Sequence, residues 1–350
     1  MSPILRVSLA AGTLIVLSCF SPAVVAPAGA SGTDSSLAAP RSLPIRFEVL
    51  LQTLADVQPE RSLPGHNGFT VSNARLGIRG RVDERFSYLV RGNFVSNPVL
   101  VDAFISFDAH SNLTLTVGRF LIPFSAEFLR SSETIDFVRR SQAVSTFIPD
   151  RQLGFQARAH SSNRRVDLAA GLFNGNEANS NDNEDFLFAA RAEGMPFADS
   201  RGVGVLSLGA SFLHSHDFIG PGGSPPYFPS FRGKRRIVGA DLRWERAAWM
   251  IGGEWIAARF DYESRFFPEV YDPFGGHVTL GCRLSPTLQT RVRLDRFSRD
   301  GGGPDRDLIL LGFDLAPSPS VRMQADYVIP TETGPEHHQL LLKFQIAFRE

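Results

Sequence analysis

From residue 44 to the C-terminus, apolar and polar side chains alternate with a period of two. Residues 45–53 set Ile45, Phe47, Val49 and Leu51 against Arg46, Glu48 and Gln52. Residues 74–82 set Ala74, Leu76, Ile78, Gly80 and Val82 against Arg75, Gly77, Arg79 and Arg81. An extended chain turns each successive side chain to the opposite face, so each segment presents one apolar and one polar surface. Sixteen such segments are expected: 44–55, 69–82, 85–96, 99–108, 112–121, 152–160, 164–173, 185–194, 203–214, 235–245, 248–261, 275–285, 287–298, 305–315, 319–328 and 338–348. Helical periodicity is nearly absent; only 123–145 holds a candidate short helix.

The connections alternate as well. Tight turns such as Asp83-Glu84 and His110-Ser111 exchange with long segments at 56–68, 122–151, 174–184, 215–234, 262–274 and 329–337. The gaps at Asn97-Pro98 and after 298 are exceptions. Short turns on one side and long loops on the other describe an up-and-down meander crossing an outer membrane, with the turns in the periplasm. The expected fold class is all-β: a transmembrane antiparallel barrel of about sixteen strands. A soluble sandwich would show similar alternation strand by strand. Strands of uniform length near ten residues, arginine-rich polar faces and alternating loops favour the barrel. Closure also removes the unpaired backbone edge that lipid does not tolerate. Phe86, Tyr88, Phe94, Trp244, Trp249, Trp255, Phe260, Tyr262 and Tyr327 lie near strand ends or on apolar faces, where some would form the interfacial girdle.

The first thirty residues have the pattern of an export signal. Arg6 is their one charge, Val7–Phe20 is apolar, and Ala28-Gly29-Ala30 offers a cleavage site. The expected organisation is a signal at 1–30, a short segment at 31–43 and a barrel over 44–350. A rival reading makes Cys19 a lipid-modified terminus, since Val-Leu-Ser precedes it, although Leu17 fits that pattern poorly. No apolar run of 18 follows residue 31, so the periplasm, the outside or an outer-membrane barrel remain as destinations.

Net charge is zero, with 36 basic and 36 acidic residues, which argues against nucleic acid as a partner. That neutrality conceals 34 arginines against two lysines, Lys234 and Lys343. Arg75, Arg79, Arg81, Arg91, Arg158, Arg291 and Arg293 fall on polar strand faces. If those faces line water, permanently charged guanidinium groups attract anions. The alternative is that they pair with Glu48, Asp102, Asp167, Asp185, Glu193, Asp241, Glu254 and Asp295 and stiffen the wall. The longest loop, 122–151, is the third on its side. It mixes Glu127, Arg130, Glu133, Asp136, Arg139, Arg140, Asp150 and Arg151 with Phe124, Phe128, Phe137 and Phe147. Such a loop is expected to fold inward, apolar side on the wall, and to narrow a channel that sixteen strands leave room for.

Within 69–155 lie Phe69–Gly80, Val101-Asp-Ala-Phe104, Val117–Ser125, Ser131-Ser132, Arg139-Arg140-Ser141 and Phe147–Gln156. This ordered set resembles the phosphate-selective porins of the O/P type. The resemblance implies a sixteen-stranded outer-membrane barrel, usually a trimer, that passes anions by passive diffusion. It also implies basic residues at a constriction. Arg119, Arg139, Arg140 and Arg151 fall inside matched motifs, so they join the strand arginines as pore-lining and anion-interacting candidates. Members with strong phosphate preference carry lysines near the constriction, and the third loop here has none. The expectation is therefore a general or mildly anion-preferring pore. The C-terminal Phe344-Gln-Ile-Ala-Phe348 resembles the last strand that the barrel-assembly machinery recognises. Here Arg349 and Glu350 follow it. Outer-membrane lipid, small anions or other polar solutes, that machinery and further copies of the chain are the expected partners.

No enzyme signature stands beside this reading. There is no Gly-x-Gly-x-x-Gly, Walker loop or Gly-x-Ser-x-Gly elbow, and no cofactor is expected. His337-His338 would point to opposite faces of a strand, while His214 and His216 share one. Cys282 has no cysteine partner once a signal is removed. The competing functional class is a secreted or outer-membrane β-protein with a binding, structural or enzymatic role and no open pore.

Overall fold

The computed structural model describes residues 45–60, 63, 67–176, 179–181, 183–198, 202–218, 232–263, 269–300 and 306–349. The chain divides into Met1–Ser42 and Leu43–Glu350, and the described residues all belong to the second unit. The expected export signal, its cleavage site and Cys19 lie outside the described residues.

Seventeen strands follow one another. They are β1 (Arg46–Val57), β2 (Gly68–Arg81), β3 (Phe86–Asn93), β4 (Leu100–His110), β5 (Leu113–Phe120) and β6 (Gln152–His160). Next come β7 (Val166–Phe173), β8 (Leu187–Ala198), β9 (Val205–Phe218), β10 (Arg232–Arg246), β11 (Trp249–Tyr262) and β12 (Glu269–Tyr271). The last are β13 (Phe274–Arg283), β14 (Leu288–Ser298), β15 (Arg306–Ser318), β16 (Val321–Pro330) and β17 (Gln339–Arg349). Consecutive strands pair antiparallel, and β1 pairs with β17 as well as β2. β12 is a three-residue extension against the end of β11, and β13 continues that ladder. The sheet is thus a closed barrel of sixteen full strands, each matching one segment of the sequence alternation.

The boundaries differ where the charge pattern disguises strand. β9 and β10 continue through Ser215–Phe218 and Arg232–Lys234, which read as loop, because Lys234 pairs with His216 and Arg232 with Phe218. β8 passes Pro196 by a register shift between Gly194 and Phe197, where the missing N–H disturbs the ladder least.

The two faces differ sharply. On β1, Glu48, Gln52 and Asp56 are buried inside, while Phe47 and Leu51 are exposed outside. Leu294 and Val278 on β14 and β13 are each 59% exposed, as a wall facing hydrocarbon requires. Phe260 departs from the expectation that it lies on the apolar outer face or at the girdle: it points inward and is 1% exposed against Phe147.

The inside is not uniformly polar. Phe173, Leu187, Leu213, Ile237, Ile256 and Phe297 face inward and pack on Ile122, Phe124, Val144 and Phe147 of the third loop. A second cluster joins Phe137 and Val138 of that loop to Leu310, Val328 and Leu341. The loop contains two short helices, α1 (Ala126–Leu129) and α2 (Gln142–Phe147), capped by the hydroxyls of Ser125 and Ser141.

Candidate functional site: the third loop and the inner wall

Three glycines of the inward face make room for the loop. A Cβ on Gly239 would stand 3.3 Å from the Phe124 ring, one on Gly275 2.9 Å from the Ala143 Cβ, and one on Gly312 2.9 Å from the Phe137 ring. The wall therefore has a seat shaped for these apolar side chains.

Polar groups fix the loop along the same arc. Carboxylates of the wall accept from loop amides: Asp326 from Val138 at 2.6 Å, Asp295 from Gln142 at 3.1 Å, Glu254 from Glu127 at 3.2 Å. Loop carbonyls in turn accept from wall side chains. Arg322 reaches Glu133 and Ile135, Arg291 reaches Asp136, and Gln52 reaches Ser132. A segment so far from solvent must satisfy its backbone in this way.

Charge is sorted by side. Two of the loop's acids turn to the wall they pack on: Glu127 meets Arg293 at 2.6 Å, and Asp136 meets Arg243 at 2.8 Å and Arg291 at 3.6 Å. Burial alone would raise the Glu127 carboxyl, but Arg293, nearby His277 and the Ser141 amide hold it at about 2. The same opposition, with Arg130, Arg243 and Arg291 prevailing over burial, holds Asp136 far below the ordinary carboxylate range. Arg293 also lies 4.4 Å from the Phe137 ring centroid.

Of the loop's arginines, Arg130 stays with Asp136 at 2.6 Å, and the other three lie elsewhere. Arg139 pairs with Asp56 at 3.1 Å. Arg140 donates to the carbonyls of Glu127, Phe128 and Arg130 and meets no carboxylate within 4 Å among the described residues. Burial, and then Arg151, press its pKa below the ordinary value, while Glu127 works the other way. Arg151 pairs with Asp102 at 2.7 Å and with Asp150 at 3.2 Å.

The remaining candidates lie on strands. Arg91 bridges Glu48 and Asp102, the latter at 2.8 Å. Arg79 meets Glu48 at 2.9 Å, Arg81 meets Asp108 at 3.1 Å, and Arg158 meets Asp167 at 2.9 Å. Arg119 is buried and donates to the Leu100 carbonyl; Gly118 before it has φ of 131°. Arg75 has no ion pair among the described residues, and its buried Nε has no hydrogen-bond partner. The charges that act on Arg75 come from Arg151, Arg91, Asp102 and Arg140. Four of the eleven candidates, Arg75, Arg91, Arg140 and Arg151, therefore come together, and Arg291 and Arg293 belong to the opposite arc under the loop.

Several contributors escaped the sequence reading. Arg191 pairs with Asp241 at 2.5 Å, Arg235 with Asp217 at 3.0 Å, and Arg322 with Asp314 at 2.5 Å. Lys343 is 5% exposed, and its electrostatic neighbours include Arg140. Each sits at an inward position of its strand, so parity would have found them. His216 lies between Asp185 at 2.7 Å and Glu263 at 3.1 Å, and His214 meets the Arg235 carbonyl. No group of metal-binding geometry occurs among the described residues.

Residues 51–217 match the family model of the phosphate-selective porins O and P. No curated protein sequence matches the chain. Among solved structures, the anion-selective porin of Comamonas acidovorans is similar with a TM-score of 0.63 at 10% identity, over 87% of this chain and 100% of that one. A loop-deletion mutant of the outer-membrane protein OmpT of Vibrio cholerae gives 0.61 at 13% identity, over 87% and 99%. The trimer form of that protein gives 0.58 at 12%, over 87% and 99%.

Proposed function

We infer that the water path of this outer-membrane porin, whose residues 51–217 belong to the phosphate-selective porin O and P family, runs between the third loop and strands β1 to β6 and favours small anions. One observation carries the reading. Glu127 and Asp136 of the loop are engaged by Arg293, Arg243 and Arg291 of the wall behind it, while Arg140 and Arg75, without carboxylate partners among the described residues, stand together with Arg91 and Arg151. A passing solute thus meets an excess of fixed positive charge at the narrowing, with Glu48, Asp102 and Asp150 offsetting part of it. Toward the periplasmic turns, Arg79, Arg81 and Arg158 are each paired with an acid and act mainly as wall braces. Weak, repeated cationic sites attract an anion without trapping it.

We assign anions as a class rather than phosphate, because the loop has no lysine and each guanidinium of the cluster except Arg75 is already hydrogen-bonded. Assembly as a homotrimer is part of the proposal, supported by the trimer form of the similar OmpT barrel. So are export by a signal cleaved near Ser31 and insertion by the barrel-assembly machinery.

The test is reversal potential in planar bilayers under a salt gradient, for the natural chain and Arg75→Gln/Arg140→Gln. The natural chain should favour chloride over potassium, and the variant should lose most of that preference while keeping an open channel. An unchanged preference would remove these two residues from the selectivity filter.

A further inference from the structure

On the outward face of the barrel, β10, β11 and β13 carry a groove of about 890 Å³. Strand register makes it. Ala240, Trp255 and Gly276 stand side by side across the three strands, and Leu242, Gly253 and Val278 form the next row. Small and large residues alternate in both directions, so Ala240, Gly253 and Gly276 are a floor between Trp255, Leu242 and Val278. The accessible lining is mainly hydrocarbon; Arg296 and Asp307 also line it and pair with each other at 3.8 Å.

The same face turns cationic toward the long connections. His214, Arg236 and Arg259 form one row across β9, β10 and β11, and His216, Lys234 and Asp261 form the next. Arg236 and Arg259 stand directly opposite each other, an unfavourable arrangement of like charges that an added anion relieves. Other charges on this rim are matched. Arg259 pairs with Asp261 at 3.0 Å and Asp272 at 3.4 Å, and His216 with Asp185 at 2.7 Å and Glu263 at 3.1 Å. Lys234 and Arg236 are exposed and meet no carboxylate within 4 Å among the described residues. The segments that lead into β10 and out of β11, 219–231 and 264–268, supply no counter-charge: they contain no acidic residue, and Arg265 is their one charge.

We propose that this face seats an anionic lipid, with its acyl chains in the groove and its phosphate on Arg236 and Lys234. The spacing agrees. Ala240 lies four residues along β10 from Arg236, as Trp255 lies along β11 from Arg259, about 13 Å at roughly 3.3 Å per residue. A head group at the rim therefore leaves its chains over the groove, and long cationic side chains at a membrane interface extend toward the head groups. The guanidinium fork and the ammonium group match phosphate oxygens. A zwitterionic lipid could fill the groove equally well, but its own cation would face Arg236 and Lys234, so charge selects the phosphate-bearing class. The site lies on the lipid side of the wall and shares no residue with the water path.

Trp255 lines the groove and offers a probe. Trp244→Phe/Trp249→Phe leaves it as the only tryptophan of the chain. That protein is reconstituted into phosphatidylcholine vesicles that hold a rising fraction of a lipid with brominated acyl chains, either phosphatidic acid or phosphatidylcholine. The expected result is half-quenching of Trp255 at about fivefold lower mole fraction of the brominated phosphatidic acid. Adding Lys234→Gln/Arg236→Gln should abolish that preference, whereas Arg236→Lys should keep most of it. Arg246→Gln/Arg283→Gln removes as much charge at the short-turn end and should leave the preference in place. Equal quenching by the two lipids overturns the proposal. So does a preference that folded Lys234→Gln/Arg236→Gln retains, or one that Arg246→Gln/Arg283→Gln loses as fully. A Trp255 that neither lipid quenches also overturns it, and would mean that another copy of the chain covers the groove. Reversal potentials judge the constriction separately, so the two ideas fail independently.

Discussion

At the scale of single residues, the arginines divide by partner. Arg158 and Arg81 sit near the turns with an aspartate each and are well exposed, so solvent screens them. Arg158→Gln should therefore change the permeability ratio by less than twofold, against a several-fold change for Arg75→Gln, as read by reversal potential. Glu127 gives a pH test. Its carboxyl is held at about 2 against an ordinary 4.5, so its clamp on Arg293 is complete above 4.5 and is lost as pH falls through about 2. Lowering the pH from neutrality to about 3 should not release the loop through this group. Excess open-channel noise of Glu127→Gln over the natural chain should persist across that range; noise that rises in the natural chain near pH 4.5 would contradict it. Strand parity makes the inward face legible for an arginine on a strand, although the reading passed over Arg191, Arg235 and Arg322. It did not show which are neutralised, because Arg291 and Arg293 are far in the chain from Glu127 and Asp136 and meet them only when the loop crosses the lumen.

At the scale of elements, the third loop and its seat form one unit. The mixture of phenylalanine and charge in 122–151 pointed to an inward fold. The seat was not legible, since Gly239, Gly275 and Gly312 look like ordinary strand glycines until the rings above them are placed. Gly312→Ala should strain the Phe137 contact and lower stability by about 1–3 kcal/mol, measured by thermal unfolding in detergent. If the alanine is silent there, the seat is looser than described. Asp326→Ala removes the acceptor of the Val138 amide and leaves that amide buried, a cost of about 1–3 kcal/mol. The loop should then fluctuate, seen as flickering of a larger conductance. A steady conductance equal to that of the natural chain would mean that the apolar seat alone holds it.

At the scale of the whole molecule, alternation settled the architecture. Sixteen amphipathic segments with an apolar outer face must close, because an open edge in lipid leaves backbone groups unpaired. What alternation hid was the inside. Leu187, Leu213, Ile237 and Ile256 share the inward parity of arginines and aspartates, and they turn part of the lumen into a dry core under the loop. In the proposed reading, the water path is narrower than a sixteen-stranded wall alone would leave, and its charge is set by the strands opposite that core. The folded barrel should require detergent and migrate differently before and after boiling on a gel. The most direct measurement is the current through the purified natural chain in a planar bilayer under a tenfold salt gradient. The account predicts discrete open channels whose reversal potential has the sign of anion preference. A folded protein that gives no channels, or channels whose reversal potential has the cation sign, would contradict it.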